Sequence, residues 1–231
     1  MTYRWDVRGY DVAFSTRVGG VSEGPFASLN LGKLTLDLEE HVEENRRRLC
    51  AEIGANVASL ALNRQQHSAT VNRAQAGSRG EPGDGLWTDE PGVAVLKLTA
   101  DCVPIALARE DRPGLALLHA GWRGLLEGIV DAGVAAVGGK LRAAVGPAIG
   151  PCCYEVGPEV AEPFRRRFGT DVVKGRMLDL WIAAERALGE AGVAKVERFD
   201  ICTSCNPEFF FSHRRDDGVT GRQGVIGVVV G

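Results

Sequence analysis

The stretch Val93-Ala-Val-Leu-Lys-Leu-Thr-Ala-Asp-Cys-Val-Pro104, resumed after a turn as Gly114-Leu-Ala-Leu-Leu-His-Ala-Gly-Trp-Arg-Gly124, decides how this chain folds. Residues 93–98 and 114–118 are short apolar runs suited to largely buried strands. Asp111-Arg-Pro-Gly114 lies between them and carries a turn signature. Past Trp122-Arg-Gly124, apolar residues at 125, 126, 129, 130, 134 and 137 recur at helical spacing, and Gly138-Gly139 supplies the stop. The unit predicted is strand, turn, strand and one helix. Cys102 follows the first strand and His119 closes the second. At a strand end a side chain stops packing and begins to face solvent or a ligand.

Reading outward, residues 10–17 alternate weakly and end at Arg17-Val-Gly-Gly20, a strand entering a loop. A charged helical pattern covers 39–53, with Val42, Leu49 and Ile53 on its apolar side. Residues 76–92 are rich in Gly, Pro and Asp and read as a long surface connection. Residues 141–145 form a strand leading into Gly146-Pro-Ala-Ile-Gly-Pro-Cys-Cys-Tyr-Glu155, too rich in glycine and proline for regular structure. Helices are expected over 158–168 and 177–191, and strands over 196–202 and 224–230. The alternation predicts mixed α and β structure. No internal repeat or low-complexity tract divides the chain, so a single domain across 1–231 is expected.

At 231 residues and 45% apolar content the chain can build a substantial core. A net charge of −3, with no basic block, offers no electrostatic footprint for nucleic acid or an anionic membrane. No apolar run reaches bilayer-spanning length, and Met1-Thr-Tyr-Arg-Trp-Asp-Val-Arg8 lacks the apolar stretch of a secretory signal. A cytoplasmic protein acting on small molecules is expected. Its six cysteines should then be thiols or metal ligands, since disulfides are rare in a reducing compartment.

Two imidazoles and a thiolate, from His67, His119 and Cys102, make up the ligand count of a catalytic zinc site, with a fourth position open. Their separations match no compact finger. Cys102 could instead be a nucleophile with a histidine base and Asp101 as orienting group, or simply a small buried residue. Cys202-Thr-Ser-Cys205 has the form of half a zinc knuckle, but adjacent Cys152-Cys153 is a poor second half, so structural thiols are expected there. Arg17, Arg123, Arg214, Arg215 and Arg222 stand beside glycine or in loops, where guanidinium forks suit phosphate. Arg17 leads this set because Gly19-Gly20 lets backbone amides join it around an anion. His213 and Asp216 read as part of a polar network.

Read together, Phe14-Ser-Thr-Arg-Val-Gly-Gly-Val-Ser22, Ser28-Leu-Asn-Leu-Gly32, Thr99-Ala-Asp-Cys-Val-Pro104, His119-Ala-Gly-Trp-Arg-Gly124, Gly150-Pro-Cys-Cys-Tyr-Glu155 and Phe211-Ser-His-Arg-Arg-Asp216 closely resemble the laccase-domain (YfiH-like) family of purine nucleoside phosphorylases, formerly labelled multicopper polyphenol oxidases. The resemblance runs in order over nearly the whole chain. It implies an α+β fold of mixed sheets packed together and flanked by helices. It also implies a mononuclear zinc site held by His67, Cys102 and His119, with copper as an alternative occupant. The implied reactions are phosphorolysis of adenosine, inosine and methylthioadenosine, and hydrolytic deamination of adenosine. In that scheme Arg17, Asp101 and Cys102 are catalytic: zinc and Arg17 position water or phosphate, and Asp101 orients a metal ligand. Arg17, Asn30, Arg123 and Arg214 are the candidates for binding nucleoside and phosphate. The chain departs from the family at Gln66 and Ser68, where Val and Gly are more usual around the histidine. A cytoplasmic hydrolase that edits peptidoglycan precursors is the alternative implied. A copper polyphenol oxidase is disfavoured, because a blue-copper centre takes two histidines and leaves only two of the four for an oxygen-reducing cluster. A non-enzymatic binding module stabilised by metal is a further reading. Oligomeric state is not implied.

Overall fold

In chain order the strands are β1 (Thr2–Trp5), β2 (Tyr10–Ser15), β3 (Leu62–Arg64), β4 (Val71–Arg73), β5 (Arg79–Pro82), β6 (Gly85–Thr88), β7 (Val95–Thr99), β8 (Val103–Arg109), β9 (Leu115–Ala120), β10 (Leu141–Val145), β11 (Val173–Lys174), β12 (Met177–Leu178), β13 (Lys195–Arg198) and β14 (Gln223–Val229). The helices are α1 (Glu39–Glu52), α2 (Trp122–Glu127), α3 (Ile129–Val137), α4 (Pro158–Phe168) and α5 (Leu180–Glu190). The computed structural model describes residues 2–231. One sheet has the order β1-β2-β14-β7 and a second the order β13-β10-β8-β9-β6-β4, with two-stranded pairs β3-β5 and β11-β12 beside them. The four-stranded sheet is antiparallel throughout, whereas the six-stranded sheet is mixed, with β10–β13 and β4–β6 parallel among antiparallel ladders, and the β3–β5 pair is parallel.

Alternation along the central strands sets the layer order. In β8 and β9, Val103, Ile105, Leu107, Ala116, Leu118 and Ala120 face α2, α3, α4 and α5. Ala106, Ala108, Leu115 and Leu117 face the opposite way, against Val12, Phe14, Val95, Val225 and Val229 of the four-stranded sheet. The far face of that sheet, with Ala13, Leu96, Ile226 and Val228, is covered by Leu49, Cys50 and Ile53 at the end of α1. The result is four layers: one helix, two sheets face to face, and a helical layer. Each fully buried Val, Leu or Ile contributes about 1.5–3 kcal/mol of transfer free energy to this stack.

The expected α+β class, mixed sheets and flanking helices are all present. Four local expectations are corrected. Residues 103–109 form a strand that the pattern hid, because a proline inside a run argues against a central strand. Pro104 is tolerated as its second residue, opposite His119, and its carbonyl accepts the Gly146 amide at 2.9 Å. The helix expected through 125–137 is two helices, since Gly128 adopts φ +90° and breaks the spiral between α2 and α3. The supposed surface connection 76–92 contains β5 and β6, with Asp84 fully buried between them. The helix expected from 177 begins at Leu180, where the Asp179 carboxylate accepts the amides of Trp181 (3.0 Å) and Ile182 (3.1 Å) as an N-cap. Among the described residues no helix is long and apolar enough to cross a membrane.

Candidate metal centre

The link from β7 to β8 crosses from one sheet to the other, and Cys102 sits in that crossover. His119 is the penultimate residue of β9, paired with Pro104, so the β8–β9 ladder brings the imidazole beside the cysteine. His67 arrives from the connection between β3 and β4. One ligand atom from each of the three lies within 4.8 Å of the others. The two rings meet edge to face, centroids 4.9 Å apart. A four-coordinate ion with bonds of about 2.0–2.3 Å needs donors at this kind of separation. The backbone leaves room for it: a Cβ on Gly121 would stand 2.9 Å from His67 Cδ2 and 3.1 Å from Cys102 Sγ. Gly121 has an ordinary φ of −74°, so its lack of a side chain serves space rather than conformation. Two imidazoles, one sulfur and this cleared volume fit a metal ion.

Asp84 assembles the constellation. Its carboxylate accepts His119 Nδ1 at 2.8 Å, the amides of Gln66, His67 (3.0 Å) and Ser68 (2.7 Å), and the Ser68 hydroxyl (2.8 Å). One buried anion therefore fixes the tautomer of one histidine and the loop carrying the other. With Nδ1 engaged, His119 offers Nε2 to an ion. The His67 loop has a second anchor: the Gln65 side chain accepts the Leu98 amide (2.8 Å) and donates to the Leu98 carbonyl (2.7 Å), mimicking a strand partner. Between these anchors His67 is held at φ +63°, an unusual conformation that its surroundings must enforce.

Burial alone would raise the Asp84 pKa, but the bonds from His119, Ser68 and Gln66 outweigh it and hold the carboxyl well below its usual range. Burial lowers His119 to about 4 against the opposing pull of Asp84, so the imidazole is neutral near pH 7, as a metal ligand must be. Burial, followed by the charges of Asp101 and Asp84, pushes the Cys102 thiol up to about 12. A cation among these groups would reverse that balance and favour the thiolate.

The remaining expected residues are distributed unevenly. Asp101, held at φ +89°, accepts the Thr203 hydroxyl and the Arg214 amide, both at 2.7 Å. The carboxylate on His119 is Asp84, so Asp101 braces the neighbouring loops. Arg17 donates Nε to the Ala27 carbonyl (2.6 Å) and Nη1 to the Pro207 carbonyl (3.0 Å), and lies over the Phe211 ring. Asn30 is fully buried. Its amide donates to Thr35 and Asp37, and its carbonyl oxygen accepts the Gly32 and Arg222 amides. Both residues are committed to holding loops together. Arg123 is exposed, stacked over Trp122, with no ion pair among the described residues. Arg214 lies over Tyr154 and donates to the Glu155 carbonyl at 2.9 Å. Burial is the main influence that pushes the Tyr154 hydroxyl up to about 12. Asp84 was missed in the sequence because Pro-Gly-Asp-Gly reads as a turn tip, and only its tertiary hydrogen bonds reveal it.

A family model described as multi-copper polyphenol oxidoreductase laccase matches residues 11–229. A Pseudomonas aeruginosa protein named purine nucleoside phosphorylase is 40% identical over 219 residues, covering 90% of this chain and 88% of that one. The Escherichia coli purine nucleoside phosphorylase YfiH is 36% identical over 230 residues, covering 93% and 92%. The crystal structure of the hypothetical protein YfiH from Bacillus licheniformis superposes with a TM-score of 0.91 at 30% identity, covering 95% of this chain and 92% of that one.

Proposed function

This chain belongs to the multi-copper polyphenol oxidoreductase laccase family, and we propose that it is a metal-dependent purine nucleoside phosphorylase whose ion is held by His67, Cys102 and His119. The observation that carries this reading is the convergence of those three donors beside the cleared volume at Gly121, in a chain whose relatives bear that enzymatic name. Zinc is the ion assigned, from a three-ligand set with one position open; the same donors would also accept copper. When bound, such an ion supplies Lewis acidity next to the substrate.

The chain's own groups supply the rest. Asp84 keeps His119 in one tautomer and His67 in place, so the donor geometry is preset. Arg123 and Arg214 are the phosphate-binding residues: each guanidinium lies on an aromatic ring and can turn its donors to an anion. Tyr154, half-buried beneath Arg214, is the aromatic ring assigned to the purine. Asp101 positions Thr203 and the Arg214 backbone around Cys102. Arg17 and Asn30 act indirectly, by holding the loops that wall the site. Adenosine, inosine and methylthioadenosine are the substrates proposed, with phosphate as co-substrate and adenosine deamination as a second activity. Six free cysteines among the described residues accord with a reducing cytoplasm.

The test is to incubate zinc-loaded protein with adenosine or inosine, with and without phosphate. Phosphate-dependent release of base and ribose 1-phosphate is expected, and inosine formed from adenosine without phosphate marks the deaminase. Neither product from protein of verified metal content would overturn the assignment and direct attention to peptidoglycan-precursor hydrolysis.

A further inference from the structure

Cys152-Cys153 and Cys202-Thr-Ser-Cys205, expected from sequence to be unrelated structural thiols, are brought together by the fold. One sulfur from each of the four lies within 4.8 Å of the others. Cys205 Sγ is 3.4 Å from Cys152 Sγ and 3.3 Å from Cys153 Sγ. Adjacent cysteines ordinarily diverge, but the turn after Gly150 redirects these two. The amides of Cys153 and Tyr154 both donate to the Gly150 carbonyl at 3.0 Å, curling the chain so that both sulfurs reach Cys205. The two segments are laced by a bridge between Ala148 and Cys202, and the Thr203 amide donates to the Ala148 carbonyl at 3.0 Å. The Gly150 amide donates to Cys202 Sγ at 3.2 Å, a contact that suits a sulfur carrying negative charge.

Packing does not account for the cluster. Cys152 and Cys205 are exposed, so those two sulfurs contribute little to the core that Cys202 joins and Cys153 packs against. No pair among them is joined as a disulfide. Four converging sulfurs are the donor set of a tetrahedral thiophilic ion. One zinc with bonds of about 2.3 Å would hold its sulfurs about 3.8 Å apart; the separations of 3.3 and 3.4 Å from Cys205 lie a few tenths of an ångström inside that value, and every other pair lies within 4.8 Å. A multi-iron cluster would need them further apart.

We propose that Cys152, Cys153, Cys202 and Cys205 form a second, structural metal site that takes one zinc ion as a tetrathiolate. Four Zn–S bonds form, thiol protons pass to solvent, and nothing is oxidised or reduced. The ion would tie the loop after β10 to the loop after β13. Those loops carry Thr203, which donates to Asp101 beside Cys102, and Glu155, whose carbonyl accepts from Arg214. The tetrathiolate therefore braces the walls of the first centre without sharing a ligand with it.

The test counts ions and needs no turnover. Protein is loaded with zinc under a non-chelating phosphine reductant, freed of excess metal and assayed for zinc per chain. Two ions are expected for the wild type, one for Cys102→Ala, and one for Cys152→Ser combined with Cys205→Ser. Cobalt-loaded Cys102→Ala should show the strong sulfur-to-metal charge-transfer absorption of four thiolates. The wild-type and Cys102→Ala measurements decide the matter even where the double variant fails to fold. A metal-free Cys102→Ala protein with four freely reactive thiols would overturn the proposal. So would an intact mass showing a disulfide within the cluster in protein purified without oxidant, or iron with acid-labile sulfide in place of zinc.

Discussion

At the scale of single residues, the centre depends on one carboxylate and one missing methyl group. Asp84 bonds to His119 and to the loop of His67, so Asp84→Asn removes charge from behind one ligand and weakens the clamp on another. Zinc affinity should fall about 10–100-fold, the usual consequence of losing such a partner. Competition against a chelator of known affinity measures it, and unchanged affinity would remove Asp84 from the account. Gly121→Ala places a Cβ 2.9 Å from the His67 ring and 3.1 Å from the Cys102 sulfur. Zinc at this centre should be lost or strongly weakened, as counted in a variant lacking Cys152 and Cys205, while far-UV circular dichroism stays unchanged. Retention of the full ion would show that the cleared volume has no role. Residue type singled out His67, Cys102 and His119 as candidate ligands in the sequence, because few side chains bind metals, and the fold brings the three together. Asp84 was illegible, since nothing local distinguishes a turn aspartate from a buried one.

At the scale of elements, the strongly periodic helices read well: 158–168 matches α4, and 39–53 differs from α1 by one residue. The misreadings share a cause, in that one backbone angle or one short strand outweighed the hydrophobic pattern. The apolar spacing through 125–137 continues across Gly128, yet φ +90° there ends α2 and redirects α3 against β9. An L side chain at that angle is strained, so Gly128→Ala should destabilise the fold by about 1–2 kcal/mol. Urea denaturation would show this as a lower midpoint at unchanged slope, and a stabilising effect would mean the break has no structural purpose. The four-cysteine cluster was equally hidden, because its halves come from loops whose meeting depends on β10 pairing with β13.

At the scale of the molecule, stacking two sheets encloses Lys97 of β7 completely, with its ammonium hydrogen-bonded to the Asn63 side chain. Burial lowers this lysine to about 7 from an ordinary 10.5, against a smaller opposing effect of Asp84. Between those values the unfolded chain binds a proton that the folded chain lacks, so this group makes stability rise with pH from about 7 to about 10.5. Lys97→Met should flatten that rise, measured as the free energy of unfolding in urea across the interval. An unchanged slope would show the ammonium to be solvated. The four-layer arrangement was foreseeable in class, since alternating strands and helices must cover two sheets, but the crossover placing Cys102 beside His119 emerges only from three-dimensional pairing. The most direct measurement is zinc-edge anomalous diffraction from crystals of the metal-loaded protein. A peak within about 2.0–2.3 Å of both His67 and His119 nitrogens and of Cys102 Sγ is predicted. Well-ordered density for those three side chains, with no peak among them in protein that carries stoichiometric zinc, would contradict the account.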